Sequence, residues 1–172
     1  MRVLVAGVGN VFFGDDGFGP EVARALLVQE PVAGAKIEDF GIRGLHLAYE
    51  LLNGYEHAII VDAVPRGDVP GTLYVIEPDA MVLPATPDAH SMDLGNVFAY
   101  LRTLGGEPPP LTIVGCEPES IEPGMGLSPA VARSVDGAAA LVRRLIDQQH
   151  SQVRVATQQL AAQGRQTTGG ST

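Results

Sequence analysis

The sequence predicts an α/β fold, specifically a three-layer α/β/α sandwich around a mostly parallel sheet of about five strands. Three observations predict it. The run Val3-Leu4-Val5-Ala6 breaks at a glycine-rich loop, Gly7 to Gly19, which is followed by Pro20 and a helix-like segment. A second run, Ala58-Ile59-Ile60-Val61, is continuously apolar, as expected of a strand buried on both faces of a parallel sheet. Strand-like and helix-like patterns then alternate to the end of the chain, with no internal repeat.

Taken in order, the first strand is expected at Arg2 to Val8 and the first helix at Pro20 to Glu30, with Val22, Leu26 and Leu27 on its apolar side. Ala33 to Asp39 reads as a weaker strand. A short helix after Gly44 buries Leu45, Leu47, Ala48, Leu51 and Leu52 and stops at Asn53-Gly54. His57 to Val61 is the clearest strand and ends at Asp62. Turn signals from Pro65 to Gly71 precede a strand at Thr72 to Ile76, and Pro78 to Pro87 reads as loop. Leu94, Val97, Phe98, Leu101 and Leu104 have helical spacing, with Ser91 or Asp93 as cap. A strand at Leu111 to Cys116 follows. Ser128-Pro129 then opens a final helix expected to end near Gln148.

A chain of 172 residues suits one domain. Residues 1–148 are expected to form it, and residues 149–172, rich in Gln, Ser, Thr and Gly, to be a polar, disordered tail. The net charge of -9 opposes binding to a polyanion, since Lys and Arg supply most non-specific affinity for phosphate backbones. Cys116 is the single cysteine and no apolar segment reaches the roughly 18 residues a membrane span needs, so a soluble, cytoplasmic protein is expected.

The glycines after the first strand invite a nucleotide-binding reading, and it fails. The third glycine of G-x-G-x-x-G is replaced by Phe12, the loop has no lysine, and Asp15 and Asp16 would repel phosphate. The loop reads better as a flexible turn presenting Asp16. Three groups of metal-ligating type remain: Asp16 in this loop, Asp62 closing the third strand, and His90 ahead of the third helix. In an open parallel sheet the strand carboxyl ends share one edge, so distant residues can converge there. Two carboxylates and one imidazole suit nickel, zinc or iron.

Each residue also has a structural reading. Asp15 or Asp16 could cap the first helix, Asp62 could be purely structural, and His90 could be a surface histidine. His46 and His57 have weaker claims, His57 lying at the start of its strand. Cys116 reads as a buried core thiol with no neighbouring base to activate it, and G-x-S-x-G is absent.

These motifs together resemble the hydrogenase maturation endopeptidases, which remove a C-terminal peptide from the large subunit of nickel-iron hydrogenases after nickel insertion. The resemblance spans residues 1 to 147. It rests on G-V-G-N and D-D-G-F-G within Gly7 to Gly19, D-F-G-I-R-G at Asp39 to Gly44, V-D-A at Val61 to Ala63, P-G-T-L at Pro70 to Leu73, and the His90 segment before a helix. It implies that Asp16, Asp62 and His90 are the ligand and catalytic residues. Nickel would arrive with the substrate, and no organic cofactor would be tightly bound. The implied partner is the large-subunit precursor, with neither nucleic acid nor membrane involved, and the enzyme is expected to act as a monomer.

Family members use Asp or Glu at the position of Asp16. Their D-G-G-T-x-G motif is altered here by Phe40, Ile42 and Arg43, which leaves the role of Asp39 open and could mark a subgroup with its own hydrogenase. Two other readings stand beside this one: a peptidyl-tRNA hydrolase-like enzyme, which shares the opening strand and G-x-G-N loop, and a non-catalytic metal-binding maturation factor.

Overall fold

The computed structural model describes residues 2–78 and 94–166, residues 152–166 by their backbone alone. Five strands form one sheet: β1 (Val3–Val8), β2 (Ala35–Gly41), β3 (His57–Ala63), β4 (Leu73–Ile76) and β5 (Leu111–Cys116). Their spatial order is β2-β1-β3-β5-β4, all parallel except β4, which runs antiparallel to β5 at the edge. The described helices are α1 (Phe18–Leu27), α2 (Gly44–Leu51), α3 (Leu94–Thr103), α4 (Pro129–Ala132) and α5 (Val135–Gln166). This is the α/β/α sandwich expected from the sequence.

Alternation along the strands builds two cores. Val3, Val5, Ile59 and Val61 point to one face, where Phe18, Val22 and Leu26 of α1 meet Ala138, Val142 and Ile146 of α5. Leu4, Ala6, Val8, Ala58 and Ile60 point to the other, against Leu47, Ala48 and Leu51 of α2 and Val97, Phe98 and Leu101 of α3. Both central strands are buried along their apolar runs, which is why those runs carry no polar alternation.

Neighbouring β1 and β3 send the chain in opposite directions. β1 leads through α1 to β2 on one side, and β3 is followed by β4 and β5 on the other. Such a reversal opens a crevice at the carboxyl ends of the two strands.

Three boundaries differ from expectation. A 3-10 turn, Gly14–Gly17, precedes α1, so the helix starts at Phe18, with Pro20 inside its first turn, where a missing N–H costs nothing. The single final helix is divided: α4 is capped by Ser128, whose hydroxyl accepts from Val131 N, and after it Ser134 Oγ donates to the Gly71 carbonyl at 2.7 Å. Helix α5 then continues past Gln148 to Gln166. Between Gly137 and Gly164 there is neither glycine nor proline, and Gln, Ala, Arg and Leu are good helix formers.

The loop after Pro78, the Ser91 or Asp93 cap and His90 lie outside the described residues. Among the described residues no helix is long and apolar enough to cross a membrane.

Candidate active site at the carboxyl edge of β1 and β3

The glycines of the first loop serve close packing. A side chain at Gly9, whose φ is 124°, would collide with the Asp16 carbonyl; one at Gly19 would collide with the carbonyls of Val8 and Val61. The turn and the start of α1 therefore sit directly on the ends of β1 and β3. Phe13 N donates to Asn10 O at 3.0 Å, and Asp16 N to Phe13 O at 3.2 Å, which closes the turn. The Asp16 carboxylate accepts from Asn10 N at 2.6 Å. Far from being loose, this turn is held from several sides.

Asp62 is the penultimate residue of β3 and is partly exposed. Its carboxyl is pushed up to about 8, first by burial and then by the negative charge of Asp16, against a smaller opposing effect of the hydrogen bond from Ala63 N at 2.8 Å. The two aspartates thus lie within electrostatic reach of each other at the point where the sheet order reverses. Two like charges so placed favour either a shared proton or a cation between them. Strand alternation assigns Asp62 to the face of Ala58 and Ile60, where α3 packs. His90, the third expected ligand, precedes α3 in sequence. Among the described residues no group of three or more His, Cys, Asp or Glu side chains could hold a metal ion.

Asp15, next to Asp16, does something different. It is 1% exposed and accepts from Glu119 N at 2.8 Å, Ser120 N at 3.1 Å and Ser128 N at 2.6 Å. Burial alone would raise its pKa, but these backbone donors outweigh it and hold the carboxyl below its ordinary value. Neither aspartate caps α1, whose N-cap, Gly17, has no side-chain bond.

A second buried carboxylate, Glu117 at the end of β5, accepts from Tyr74 Oη at 2.6 Å, Arg66 N at 2.7 Å and Gly67 N at 3.0 Å, and these bonds lower its pKa. It fixes the loop after β3. The sequence reading missed both roles, because the donors, backbone N–H groups and the Tyr74 hydroxyl, lie far along the chain. The one local signal is an acidic residue directly after an apolar strand, Cys116-Glu117, the same pattern that marks Asp62.

The remaining candidates do not join the pair. Cys116 is fully buried and its thiol is pushed up to about 11, chiefly by burial, which makes it a poor nucleophile. His57 is buried at the opposite end of β3, with Nε2 2.9 Å from Thr112 Oγ1, and burial lowers its pKa. His46 packs edge-on against Phe40. Asp39 lies 3.5 Å from the Arg24 guanidinium, and Arg43 donates to the carbonyls of Asp39 and Phe40, closing the end of β2. Beside the turn lies a cleft of about 390 Å³ lined by Val11, Gly14, Gly17, Glu21, Arg24 and residues 125–127.

Fold and site together define an α/β protein with two electrostatically coupled carboxylates at a strand-end switch point. The sequence profile of the hydrogenase maturation protease family, HycI, matches residues 20–145. Over 142 residues the chain is 34% identical to the hydrogenase 2 maturation protease of Escherichia coli K12, covering 80% of this chain and 86% of that one. It is 38% identical over 146 residues to the hydrogenase expression/formation protein HupD of Rhodobacter capsulatus, covering 81% and 68%. Among solved structures it is similar to the hydrogenase maturating endopeptidase HybD from E. coli, with a TM-score of 0.74 and 31% identity over 87% of this chain and 94% of that one.

The chain belongs to the hydrogenase maturation protease family, and this membership supports an endopeptidase activity in hydrogenase maturation. Asp62 and His90 fall inside the matched interval, and Asp16 just ahead of it.

Proposed function

We propose that this protein removes the C-terminal extension of a nickel-iron hydrogenase large-subunit precursor after nickel insertion, with Asp16, Asp62 and His90 receiving the nickel that the precursor carries. The observation that supports this most is the pair of strand-end carboxylates, one of them pushed up to about 8 by burial and by the other. Such a pair is strained without a cation and relieved by one. Oxygen and imidazole donors suit a borderline divalent ion, and their three positions leave room for the precursor's own ligands.

In this reading the metal belongs to the substrate, and it supplies polarisation of a carbonyl or of water. The chain's residues do the rest. Asp16 is held in place by Asn10 N and acts on Asp62 through its charge. Asp62 carries a proton near neutral pH in the free enzyme and releases it as the cationic substrate docks. A carboxylate ionised in this way and not engaged by the metal can take a proton from attacking water or return one to the leaving amine.

Docking that needs the ionised form of Asp62 should tighten as pH rises towards about 8 and level off above it. Asp62→Asn and His90→Ala should keep the fold by circular dichroism yet process little loaded precursor. Parental cleavage rates from both variants would remove the assignment.

A further inference from the structure

The turn that carries Asp16 and the segment 117–128 are built as one platform. Gly14 N donates to Gly124 O at 2.9 Å, Gly124 N to Phe12 O at 2.9 Å, and Asp15 N to Ser120 O at 3.0 Å; the buried Asp15 carboxylate adds its three bonds. Four large apolar residues of this platform are exposed. Phe12 is 61%, Phe13 41%, Ile121 53% and Met125 80% exposed, and Met125 also lines the adjoining cleft.

Single exposed apolar residues, such as Val28 and Val69, are ordinary on a surface. Four large ones on two mutually pinned loops, one of which carries Asp16, mark an interaction site. Its rim is acidic: Glu119 and Glu122 are exposed, and neither residues 7–19 nor residues 117–128 include a Lys or Arg.

We propose that this platform docks the folded body of the precursor, through a face on that partner that is apolar at its centre and basic at its edge. The proposal rests on the reading given under Proposed function and adds where, and by what chemistry, the partner is held. Two arguments fix the occupant. Phe12 and Phe13 belong to the same turn as Asp16, so a partner seated on them lies beside the carboxylates. The acidic rim and the net charge of -9 favour a basic-edged partner and disfavour a second copy of this chain.

The test uses the full chain with nickel-loaded precursor and two double variants, Phe12→Ser/Met125→Ser and Glu119→Lys/Glu122→Lys, with Val28→Ser as control. The apolar variant should raise KM about tenfold or more while kcat falls less than about threefold, as when docking contacts away from the chemistry are lost. The charge variant should raise KM and flatten its dependence on salt. Val28→Ser should behave as the parent.

Calorimetric binding of the precursor to each variant in an Asp62→Asn background separates docking from cleavage. If the parent cleaves and both double variants keep its KM, the platform is wrong and the catalytic reading stands. If the parent does not cleave but its Asp62→Asn form binds precursor through Phe12 and Met125, the catalytic reading is wrong and the platform stands. Failure of both cleavage and binding overturns both. Sedimentation showing a dimer of this chain that Phe12→Ser/Met125→Ser dissociates would overturn the platform proposal alone.

Discussion

Asp15 and Asp16 leave one turn for opposite surroundings. Asp15 enters the protein and satisfies three backbone N–H groups from residues 119, 120 and 128, whereas Asp16, among the described residues, accepts one, from Asn10, and acts electrostatically on Asp62. The first carboxylate is stabilised as an anion, and the second helps keep its neighbour across the crevice protonated. A polypeptide can thus place side by side an aspartate bound within the protein and one set near a like charge, because successive residues of a tight turn point in different directions. Asp15 holds the turn rigid, and Asp16 can then be held against the like charge of Asp62.

This contrast is open to direct attack by substitution. The largest effect belongs to Asp16→Asn, which should lower cleavage of loaded precursor by about 10²- to 10⁴-fold with the melting temperature nearly unchanged. Asp15→Ala should do the reverse, acting mainly on stability. It removes three part-buried hydrogen bonds to a charged acceptor, worth about 1–3 kcal/mol each, so a loss of about 3 kcal/mol or more, or about 6 °C in Tm, is expected in thermal or urea unfolding.

The stabilisation from the Asp15 carboxylate should be complete above its unfolded pKa, about 3.9, and lost as pH falls through the lower folded value. Asp62 has the opposite sign. With a folded pKa of about 8, the native state of the free enzyme holds a proton that the unfolded chain has released, so stability declines as pH rises from about 4 to about 8. Asp62→Asn escapes this decline, and its Tm relative to the parent should rise across that window and stay constant above it. The smallest effect is expected for Cys116→Ala, which should cleave within about twofold of the parent and lose only about 1 kcal/mol by removing one buried sulfur. Complete loss of cleavage by a folded Cys116→Ala protein would reopen thiol chemistry.

Much of this arrangement was legible in the sequence, for identifiable reasons. The continuous apolar run ending at Asp62 announces a central parallel strand and puts a carboxylate at its carboxyl end. The glycines around Asp16 announce a turn, though one expected to be flexible, whereas Gly9 and Gly19 pack it tightly on the sheet. What stayed hidden depends on contacts distant in sequence. Asp15 accepts from residues 104 to 113 positions away, and Glu117 from residues 43 to 51 positions away, so no local pattern separates them from surface acids. The break between α4 and α5 is of the same kind, since the Ser134 hydroxyl reaches Gly71, 63 positions back. The apolar platform was hidden too, because Phe12, Ile121 and Met125 lie in two loops that only the fold brings together.

The central claim is that the carboxylate pair at the ends of β1 and β3 acts on a substrate that brings its own metal. The most direct measurement incubates the parent and Asp62→Asn proteins with nickel-loaded and nickel-free large-subunit precursor and follows precursor mass. The account predicts a shortened product only when the parent meets the loaded form. Equal shortening of both precursors, or undiminished shortening by Asp62→Asn, would contradict it.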